Sequence, residues 1–285
     1  MIVVSDSAAL GEHLTTLRER ADTIAFVPTM GNLHDGHIAL VHQARATADS
    51  VVVSIFVNPM QFAAHEDLDT YPRTLDDDLT ALREAGVDLV LTPSAEDIYP
   101  DGSARHTAIH VPGLGDALCG KDRPGHFDGV CTVLYKLFQL VRPDMAIFGE
   151  KDLQQLLIIK KMVADLSLPI DIRSGPTQRA EDGLALSSRN QYLSASERAL
   201  APLLWQTLKS CGATLTATPE CQPASIIDPA KEALKQAGFA VDYLELRKLS
   251  TLQLVDRMDH NCALFVAVRL GDTRLIDNIQ LAVNS

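Results

Sequence analysis

The sequence lacks long apolar runs and closely spaced cysteines, and both absences bear on its compartment. No run approaches the roughly 18 apolar residues that span a bilayer. The opening residues MIVVSDSAAL carry no basic region followed by an apolar one. The five cysteines are scattered, which argues against both a C-x-x-C site and a disulfide framework. We therefore expect a cytoplasmic protein with reduced thiols and no membrane partner.

An excess of basic residues is also absent. The 285-residue chain has 37 acidic against 25 basic residues, a formal net charge of −12. A surface this acidic repels a phosphate backbone unless the cations gather on one face. The composition therefore argues against nucleic acid as a partner, and it raises the question of whether the few cations surround a smaller anion.

Two common catalytic signatures are missing as well. The chain has nine histidines but no H-E-x-x-H sequence, which argues against a metal-dependent hydrolase. Its glycine-rich segment GLGDALCG does not follow the G-x-G-x-x-G spacing of dinucleotide-binding folds. A dinucleotide oxidoreductase is therefore not indicated.

Strand-like and helical segments alternate from Thr23 to about Gly175. Short β-rich runs such as TIAFVP and SVVVSIFVN are followed by helical stretches such as HIALVHQARATAD and LDDDLTALREAG. This alternation predicts right-handed βαβ units and a parallel sheet, with ligands bound beyond the carboxyl ends of the strands. We predict an α/β fold in which residues 1–176 form a Rossmann-like parallel-sheet nucleotide-binding domain.

The last third of the chain follows a different pattern. SASERALAPLLWQTLKS and DPAKEALKQAG read as helices, and VDYLELR, CALFVAVRL and TRLIDNIQL read as strands. The Gly271-Asp272 pair between the last two strands predicts a hairpin turn. We predict a smaller C-terminal α+β domain over residues 177–285, with the loop TQRAEDGLALSSRN at its start.

One short motif places two histidines at the start of a helix. His34, Gly36 and His37 follow the strand TIAFVP and open the next helix. A helix N-terminus exposes unpaired N–H groups and a positive dipole end, glycine permits close approach, and imidazoles add donors to phosphate oxygens. The turn therefore predicts a triphosphate site, and the alternative is that both histidines only cap the helix or lie on the surface.

Two further segments bring candidate cations. FGEKDLQQ repeats the strand-to-helix arrangement, so Lys151 can approach phosphates held by the first turn if both turns share one sheet edge. LALSSRN offers Ser187, Ser188 and Arg189, whose hydroxyls and guanidinium suit an anion. Alone, the lysine is equally compatible with a solvated surface position, and the serines with a cap for the helix near Ser194.

Six motifs, taken in order, resemble one enzyme family. PTMGNLHDGH, FVNPMQF, YPRTLDDDL, RPGHFDGV, FGEKDLQQ and DGLALSSRN are similar to the motifs of the pantothenate synthetases, the ATP-dependent pantoate–β-alanine ligases. The resemblance spans Pro28 to Asn190 and implies the nucleotidylyltransferase superfamily. Its HIGH-type signature corresponds to His34–His37 and its KMSKS-like signature to Leu186–Arg189. The C-terminal third is similar only in length and pattern.

The resemblance implies a two-step reaction. The carboxylate of pantoate attacks the α-phosphorus of ATP and releases pyrophosphate, and β-alanine then displaces AMP from the acyl-adenylate to give pantothenate, a precursor of coenzyme A. Neither step demands a protein nucleophile, and fixed donors to the phosphates supply the catalysis. The implied catalytic residues are His34, His37, Lys151 and Arg189. The implied ATP-binding residues are Met30, Gly31, Asn32, Leu33, His34, Asp35, Gly36, His37, Gly149, Glu150, Lys151, Asp152, Gln178, Leu186, Ser187, Ser188 and Arg189.

The same resemblance implies substrate positions, and the acidic run after Thr74 offers candidate metal ligands. Gln61 and Gln155 match the family's pantoate contacts, and Asn58 is a further candidate for binding pantoate or β-alanine. Mg²⁺ is expected with ATP as co-substrate. Asp77 and Asp78 are candidate ligands, although acids in a helix's first turn also suit its dipole. The family further implies a homodimer.

The chain departs from the family pattern at three positions. Leu186 stands where the family usually has Met, Gln178 where a small branched residue is common, and Cys119 where an acid is commoner. Arg123 and His126 have no assigned role.

Three alternative functions can be compared with the motifs. Another adenylyltransferase of the superfamily would share the histidine turn but is not expected to carry the other motifs. A class I aminoacyl-tRNA synthetase needs a basic tRNA-binding domain. A nucleotide sensor without turnover is disfavoured because all the motif cations are present.

Overall fold

A computed structural model describes residues 1–63, 66–258 and 261–281 of the chain. The chain divides into two compact units, with the main division at Pro176. The first unit comprises Met1–Asp116, Gly120–Glu150 and Gln154–Pro176, and the second comprises Ala117–Cys119, Lys151–Leu153 and the chain from Thr177 onward. Two short segments that precede Pro176 in the chain therefore belong to the second unit, and one of them contains Lys151.

The first unit is built on a parallel sheet. Within the described residues this sheet has six strands in the order β1-β4-β3-β2-β5-β6, and every neighbouring pair is parallel. The strands are β1 (Ile2–Val4), β2 (Ile24–Thr29), β3 (Ser50–Ile55), β4 (Leu89–Leu91), β5 (Met145–Gly149) and β6 (Asp171–Gly175). The predicted α/β parallel sheet is confirmed. Strand β1 and the helix Ser7–Glu19 lie before Thr23, where the predicted alternation begins.

Helices connect the strands of this sheet. They are α1 (Ser7–Glu19), α2 (Asp35–Thr47), α3 (Leu75–Glu84), α4 (Ala95–Ile98), α5 (Cys119–Asp122), α6 (His126–Val141) and α7 (Leu153–Asp165). Helix α6 begins four residues before the predicted VCTVLYKLFQLV segment, because Gly125 adopts a left-handed conformation that lets the helix start at His126. Most of α6 is buried, as expected for a helix that covers one face of a parallel sheet.

The strand order reverses between β2 and β5. From β2 the chain moves outward to β3 and β4, and from β5 it moves the other way to β6. Ala25 pairs with Met145 and Phe26 with Ala146, so the carboxyl ends of these two central strands are neighbours. Such a topological switch point is where ligands bind in open parallel sheets. The turns that follow β2 and β5 both leave the first unit's sheet there.

The second unit contains a separate antiparallel sheet and helices. Among the described residues its sheet has three strands in the order β7-β8-β9. The elements are α8 (Ala195–Leu200), α9 (Leu203–Ala217), α10 (Ala224–Gln236), β7 (Ala240–Lys248), β8 (Cys262–Leu270) and β9 (Thr273–Leu281). The predicted hairpin at Gly271-Asp272 is confirmed, since Leu270 pairs with Thr273 and Gly271 has a φ of +56°. The predicted α+β character of this third is therefore correct.

One helix prediction in this unit was wrong. The segment SASERALAPLLWQTLKS forms two helices instead of one, because Pro202 lacks an N–H and stands between α8 and α9.

None of the helices in the described residues combines the length and the apolar composition of a membrane-spanning segment.

Candidate active site

The turn after β2 has a constrained backbone. Gly31 and Asn32 have φ values of +79° and +49°. A Cβ on Gly31 would lie 3.0 Å from both Oδ2 of Asp78 and Cγ2 of Ile55. Glycine avoids both the conformational strain and the close contact. The turn therefore passes tightly against α3 before helix α2 begins.

The buried carboxylate of Asp78 holds this turn. Its Oδ2 accepts from the backbone N–H of Asn32 at 2.9 Å, and its Oδ1 accepts from that of Leu33 at 2.8 Å. Thr74 Oγ1 donates to the same Oδ1 at 3.2 Å. Both oxygens are engaged and the residue is 3% exposed, so Asp78 braces the turn in this structure. Its role as a metal ligand stays a prediction. Asp77 is exposed and keeps that prediction.

His34 and His37 cap helix α2 reciprocally. The N–H of Gly36 donates to Nδ1 of His34 at 3.1 Å, and the N–H of His34 donates to Nδ1 of His37 at 3.3 Å. The ring centroids lie 4.1 Å apart. A nitrogen that accepts a hydrogen bond carries a lone pair, so the proton of each neutral ring lies on Nε2. Capping and phosphate binding are thus compatible, because the caps turn both rings into Nε2–H donors.

Asn58 is buried beside the 3₁₀ turn Pro59–Gln61, and its side chain forms hydrogen bonds with four groups. Its Oδ1 accepts from the Met60 N–H at 3.2 Å and from the Tyr99 hydroxyl at 2.8 Å. Its Nδ2 donates to the Gly129 carbonyl and to Gln61 Oε1, each at 3.1 Å. Asn58 is 1% exposed and holds the Gln61 side chain through these bonds. Its role as a contact for pantoate or β-alanine stays a prediction. No sequence signal pointed to Tyr99.

The hydrogen bonds of Asn58 also fix the orientation of the Gln61 side-chain amide. The Met60 N–H can only donate and the Gly129 carbonyl can only accept, so the Asn58 amide has one orientation. Gln61 Oε1 then faces Asn58, and Gln61 Nε2 lies 3.0 Å from the sulfur of Met30. The structure therefore brings a predicted substrate residue and a predicted ATP-site residue into contact, with Gln61 acting as a donor.

Arg123 and His126 hold the backbone of Gln61 from the other side. His126 Nδ1 lies 2.8 Å from the Gln61 carbonyl oxygen, and Arg123 donates to that oxygen at 3.4 Å. Arg123 Nη1 lies 3.0 Å from His126 Nε2, and its Nε and Nη2 donate to the Glu66 carboxylate at 2.5 and 2.7 Å. Arg123, in the loop before α6, and His126, the first residue of α6, thus both contact the Gln61 carbonyl.

The ion pair of Glu66 with Arg123 should make the stability of the protein depend on pH. Burial alone would raise its pKa, but hydrogen bonding and the charge of Arg123 lower the pKa of Glu66 to about 2. A lowered pKa adds stability above the ordinary carboxyl pKa, and this is lost as pH falls from about 4.5 towards 2. We expect Glu66→Gln to lower the urea midpoint at pH 7 and to have a smaller effect at pH 3.

A surface pair provides the control for this pH series. Glu232 pairs with Lys235 on α10, and both side chains are more than half exposed. Exposed pairs contribute little to stability, so Glu232→Gln should leave the urea midpoint almost unchanged at every pH. Equal effects of Glu66→Gln at pH 7 and pH 3 would contradict the ion pair.

The turn after β5 begins at Glu150. The Ser174 hydroxyl donates to Glu150 Oε1 at 2.7 Å, which ties this turn to the neighbouring strand β6. On α7, Gln154 is buried and donates to the Leu114 carbonyl at 2.9 Å. Gln155 is half-buried. Of the two adjacent glutamines, Gln155 is therefore the less buried, and its role as a substrate contact stays a prediction.

Lys151 and Asp152 follow Glu150 and lie in the second unit. The Lys151 Nζ is 3.7 Å from Asp152 Oδ2, and the lysine side chain is 19% exposed. The Lys151 carbonyl accepts a hydrogen bond from Asn278 Nδ2 at 2.9 Å. The ammonium is thus only loosely paired by Asp152, while the backbone that carries it is anchored.

The loop TQRAEDGLALSSRN, which contains the predicted KMSKS-like signature, folds back on itself. The Leu186 N–H donates to the Gln178 carbonyl at 2.9 Å, and Ser187 Oγ accepts from the Arg189 N–H at 3.3 Å. Leu186 and Gln178 therefore meet through backbone groups, so their departures from the family pattern leave this contact intact. Helix α8 has its own capping box of Ser194 and Glu197. The serines of the loop are therefore not the cap of that helix.

The predicted site residues fall into two sets, one in each unit. The first unit holds Met30, Gly31, Asn32, Leu33, His34, Asp35, Gly36, His37, Asn58, Gln61, Asp77, Asp78, Gly149, Glu150 and Gln155, and the second holds Lys151, Asp152, Gln178, Leu186, Ser187, Ser188 and Arg189. In the described parts of the chain, no group of three or more His, Cys, Asp or Glu side chains is placed to hold a metal ion.

A parallel sheet with a His-x-Gly-His helix start at its switch point defines a class: α/β proteins that bind nucleotides at the carboxyl ends of their strands. Within this class the chain belongs to the pantoate-beta-alanine ligase family, whose profile matches residues 2–280. The predicted family, and with it the ligase activity, is confirmed.

Similar proteins and structures agree with this assignment. The chain is 54% identical over 264 residues to a pantothenate synthetase of Pseudomonas aeruginosa, covering 93% of each. It is 52% identical over 279 residues to that of Stutzerimonas stutzeri, covering 98% of this chain and 97% of the relative. Pantothenate synthetase from Thermus thermophilus has a TM-score of 0.91 at 44% identity, with 98% and 99% of the chains covered. Pantoate-beta-alanine ligase from Francisella tularensis, complexed with "beta-gamma ATP" and beta-alanine, has a TM-score of 0.84 at 34% identity, with 98% and 97% covered.

Proposed function

We propose that this protein condenses (R)-pantoate with β-alanine at the expense of ATP, through a pantoyl-adenylate, and releases AMP and pyrophosphate. Family membership supports the overall ligation, and the Francisella tularensis relative carries an ATP compound and β-alanine. The observation that carries the nucleotide role is the reciprocal capping of His34 and His37, which orients two Nε2–H donors at the switch point.

In the first step a pantoate carboxylate oxygen attacks the α-phosphorus, and the bond from that phosphorus to the pyrophosphate oxygen breaks. The attacking group is already an anion, so no general base is needed. The Nε2 atoms of His34 and His37 carry protons and therefore donate to phosphate oxygens. Lys151 adds positive charge, and such donors lower the barrier by neutralising the transferring and leaving oxygens. The remaining phosphate ligands in this proposal are Ser187, Ser188 and Arg189.

The pantoate pocket uses the amides of Gln61 and Gln155. Because Gln61 presents Nε2, it donates to an oxygen of pantoate, either a hydroxyl or the carboxylate. Gln155 supplies a second amide from α7. In the second step the free amine of β-alanine attacks the acyl carbon and the carbon–oxygen bond to AMP breaks. The excess proton on the attacking nitrogen passes to solvent, which leaves the amide of pantothenate and AMP.

The rest of the nucleotide lies along backbone segments in this proposal. The turn from Met30 to His37 and the turn from Gly149 to Asp152 line the ATP site, with Asp152 accepting from the ribose hydroxyls. Gln178 and Leu186 contribute their backbone. Mg²⁺ accompanies ATP, with Asp77 and Asp78 as the candidate carboxylates and with phosphate oxygens and water as the other ligands. Asp78 already accepts three hydrogen bonds, so Asp77 is the better placed of the two.

The proposal extends to the oligomeric state of the protein and to its cellular compartment. The five cysteines all lie in the described residues and form no disulfide, which fits a reducing cytoplasm. The net charge of −12 supports small-molecule substrates over nucleic acid. We propose a homodimer, as the family resemblance implies, and a division of labour in which residues 1–176 bind ATP and pantoate while residues 177–285 contribute the LSSR loop.

An isotope-exchange assay tests the proposed function. We expect exchange between labelled pyrophosphate and ATP that needs Mg²⁺ and pantoate but not β-alanine, because the adenylate forms first. Net AMP release should need both acids. Exchange supported by phosphopantetheine or nicotinate mononucleotide, and not by pantoate, would assign the protein to another adenylyltransferase reaction.

A further inference from the structure

Strand β9 carries two adjacent buried polar residues that the sequence patterns did not single out. Asp277 is 4% exposed and Asn278 is 7% exposed. Buried carboxylates and amides are stable only where hydrogen bonds or charges satisfy them. The partners of these two residues lie in the two segments of the second unit that carry the proposed phosphate donors.

Asp277 clamps the base of the loop that leads to Arg189. Arg179 donates to both carboxylate oxygens of Asp277, at 2.6 and 2.9 Å. The Arg179 guanidinium also lies 3.5 Å from the Trp205 ring centroid and donates to the Gly183 carbonyl at 3.2 Å. This bidentate, stacked geometry fixes the arginine in one position, which a lysine could not reproduce.

The clamp extends along the loop through its backbone. Arg179 and Ala185 form an antiparallel bridge, and the Leu186 N–H bonds to the Gln178 carbonyl. Gly183 closes the bend with a φ of +93°, and a Cβ there would lie 2.5 Å from Trp205 Cδ1. The position of Arg179 therefore sets where the chain emerges at Leu186, directly before Ser187, Ser188 and Arg189.

Asn278 anchors the other segment. Its Nδ2 donates to the Lys151 carbonyl at 2.9 Å, and its own N–H donates to Asp277 Oδ1 at 2.8 Å. The carbonyl can only accept, so the amide of Asn278 has one orientation. One carboxylate thus binds the arginine of the loop and the backbone of the residue that holds Lys151.

We propose that Asp277 and Asn278 are positioning residues for adenylate formation, through which strand β9 sets the relative placement of Lys151 and the Ser187–Arg189 segment within the second unit. The proposal rests on the proposed function, because those segments are its phosphate donors. The effect of Asp277 and Asn278 is on the geometry of the donors, and transition-state stabilisation depends on that geometry.

A pair of matched substitutions separates positioning from stability. Asp277→Asn keeps the shape but breaks the bidentate pair, and we expect pantoate-dependent exchange to slow roughly 10- to 100-fold, since a displacement of about 1 Å can cost 10²-fold. The Michaelis constant for pantoate should not change. The control is Asp242→Asn, because Asp242 on β7 bonds a similarly shielded arginine, Arg274, at 2.8 Å. It should leave the exchange rate within about twofold of wild type.

A double-mutant cycle tests whether Asn278 acts through Lys151. Asn278→Ala removes the hydrogen bond to the Lys151 carbonyl and should slow exchange roughly tenfold in the wild-type background. In a Lys151→Ala background the same change should have almost no further effect, because coupled residues are not additive. Equal fold-changes in both backgrounds, or equal effects of Asp277→Asn and Asp242→Asn, would overturn the proposal.

The outcomes also separate this proposal from the proposed function. Wild-type protein without pantoate-dependent exchange would refute the function itself. Wild-type exchange with unaffected Asp277→Asn and Asn278→Ala variants would refute only the positioning role. Thermal melts of each variant by circular dichroism identify loss of fold; if Asp277→Asn unfolds, the Asn278 cycle alone decides.

Discussion

Replacing Lys151 with alanine is expected to slow pantoate-dependent pyrophosphate exchange about 10²–10³-fold, the usual effect of removing one donor to a developing oxyanion. The ammonium makes a long contact with Asp152 at 3.7 Å, so its removal breaks no short ion pair with that carboxylate. The backbone at residue 151 stays anchored by Asn278. We therefore expect the melting temperature to stay near that of wild type while the exchange rate falls.

A second lysine provides the control for Lys151. Lys161 lies on α7 and pairs with Asp165 in a largely exposed ion pair. Lys161→Ala removes the same charge from the chain, so a general effect of net charge on ATP affinity would affect both variants. We expect exchange by Lys161→Ala to match wild type. Near wild-type exchange by Lys151→Ala would show that the lysine does not contact the phosphates.

Replacing Gly129 with alanine adds one methyl group, yet we expect it to disturb the proposed pantoate site strongly. A Cβ at Gly129 would lie 2.4 Å from the Met60 oxygen and 2.7 Å from the Gln61 nitrogen. These are backbone atoms, so either α6 or the Pro59–Gln61 turn must move. Overpacking of this kind costs about 1–3 kcal/mol. The hydrogen bond from Asn58 to the Gly129 carbonyl would stretch, and with it the placement of the Gln61 amide.

The kinetic consequence should be specific to one substrate. A displacement of Gln61 by about 1 Å can lower the rate roughly 10²-fold, and we expect the Michaelis constant for pantoate to rise while that for ATP changes little. Gly11→Ala is the control, because Gly11 lies in α1 and a Cβ added there would meet no neighbouring group within 4 Å. Alanine there should stabilise the protein by about 0.5–1 kcal/mol. Unchanged pantoate kinetics in Gly129→Ala would contradict the role of this contact.

The fold was predictable where local pattern and packing agree. β3, with the run SVVVSI, is buried almost throughout, as a central parallel strand should be, and the Gly271-Asp272 turn has the backbone that its residues favour. β1 has three residues, too few for any period to emerge. The α8–α9 break at Pro202 was missed because the apolar spacing continues across the proline.

The candidate site was predictable only in part, for a physical reason. Motifs reveal residues that meet a ligand, and His34 and His37 sit at a strand-to-helix turn that sequence alone identifies. The residues that hold such groups in place act across long sequence distances. Asp78 reads as one acid of a run, yet it bonds a turn 46 residues earlier. Asp277 bonds Arg179 across 98 residues, and no local pattern encodes that partnership.

Binding of one triphosphate by both turns at the switch point is the central claim, and a crystal structure with a non-hydrolysable ATP analogue and Mg²⁺ tests it directly. We expect His37 Nε2 and Lys151 Nζ each to lie within about 3.2 Å of oxygens of the same nucleotide, the range of a hydrogen bond. A nucleotide whose phosphates contact only one of these two atoms, with the other facing a different region, would contradict the account.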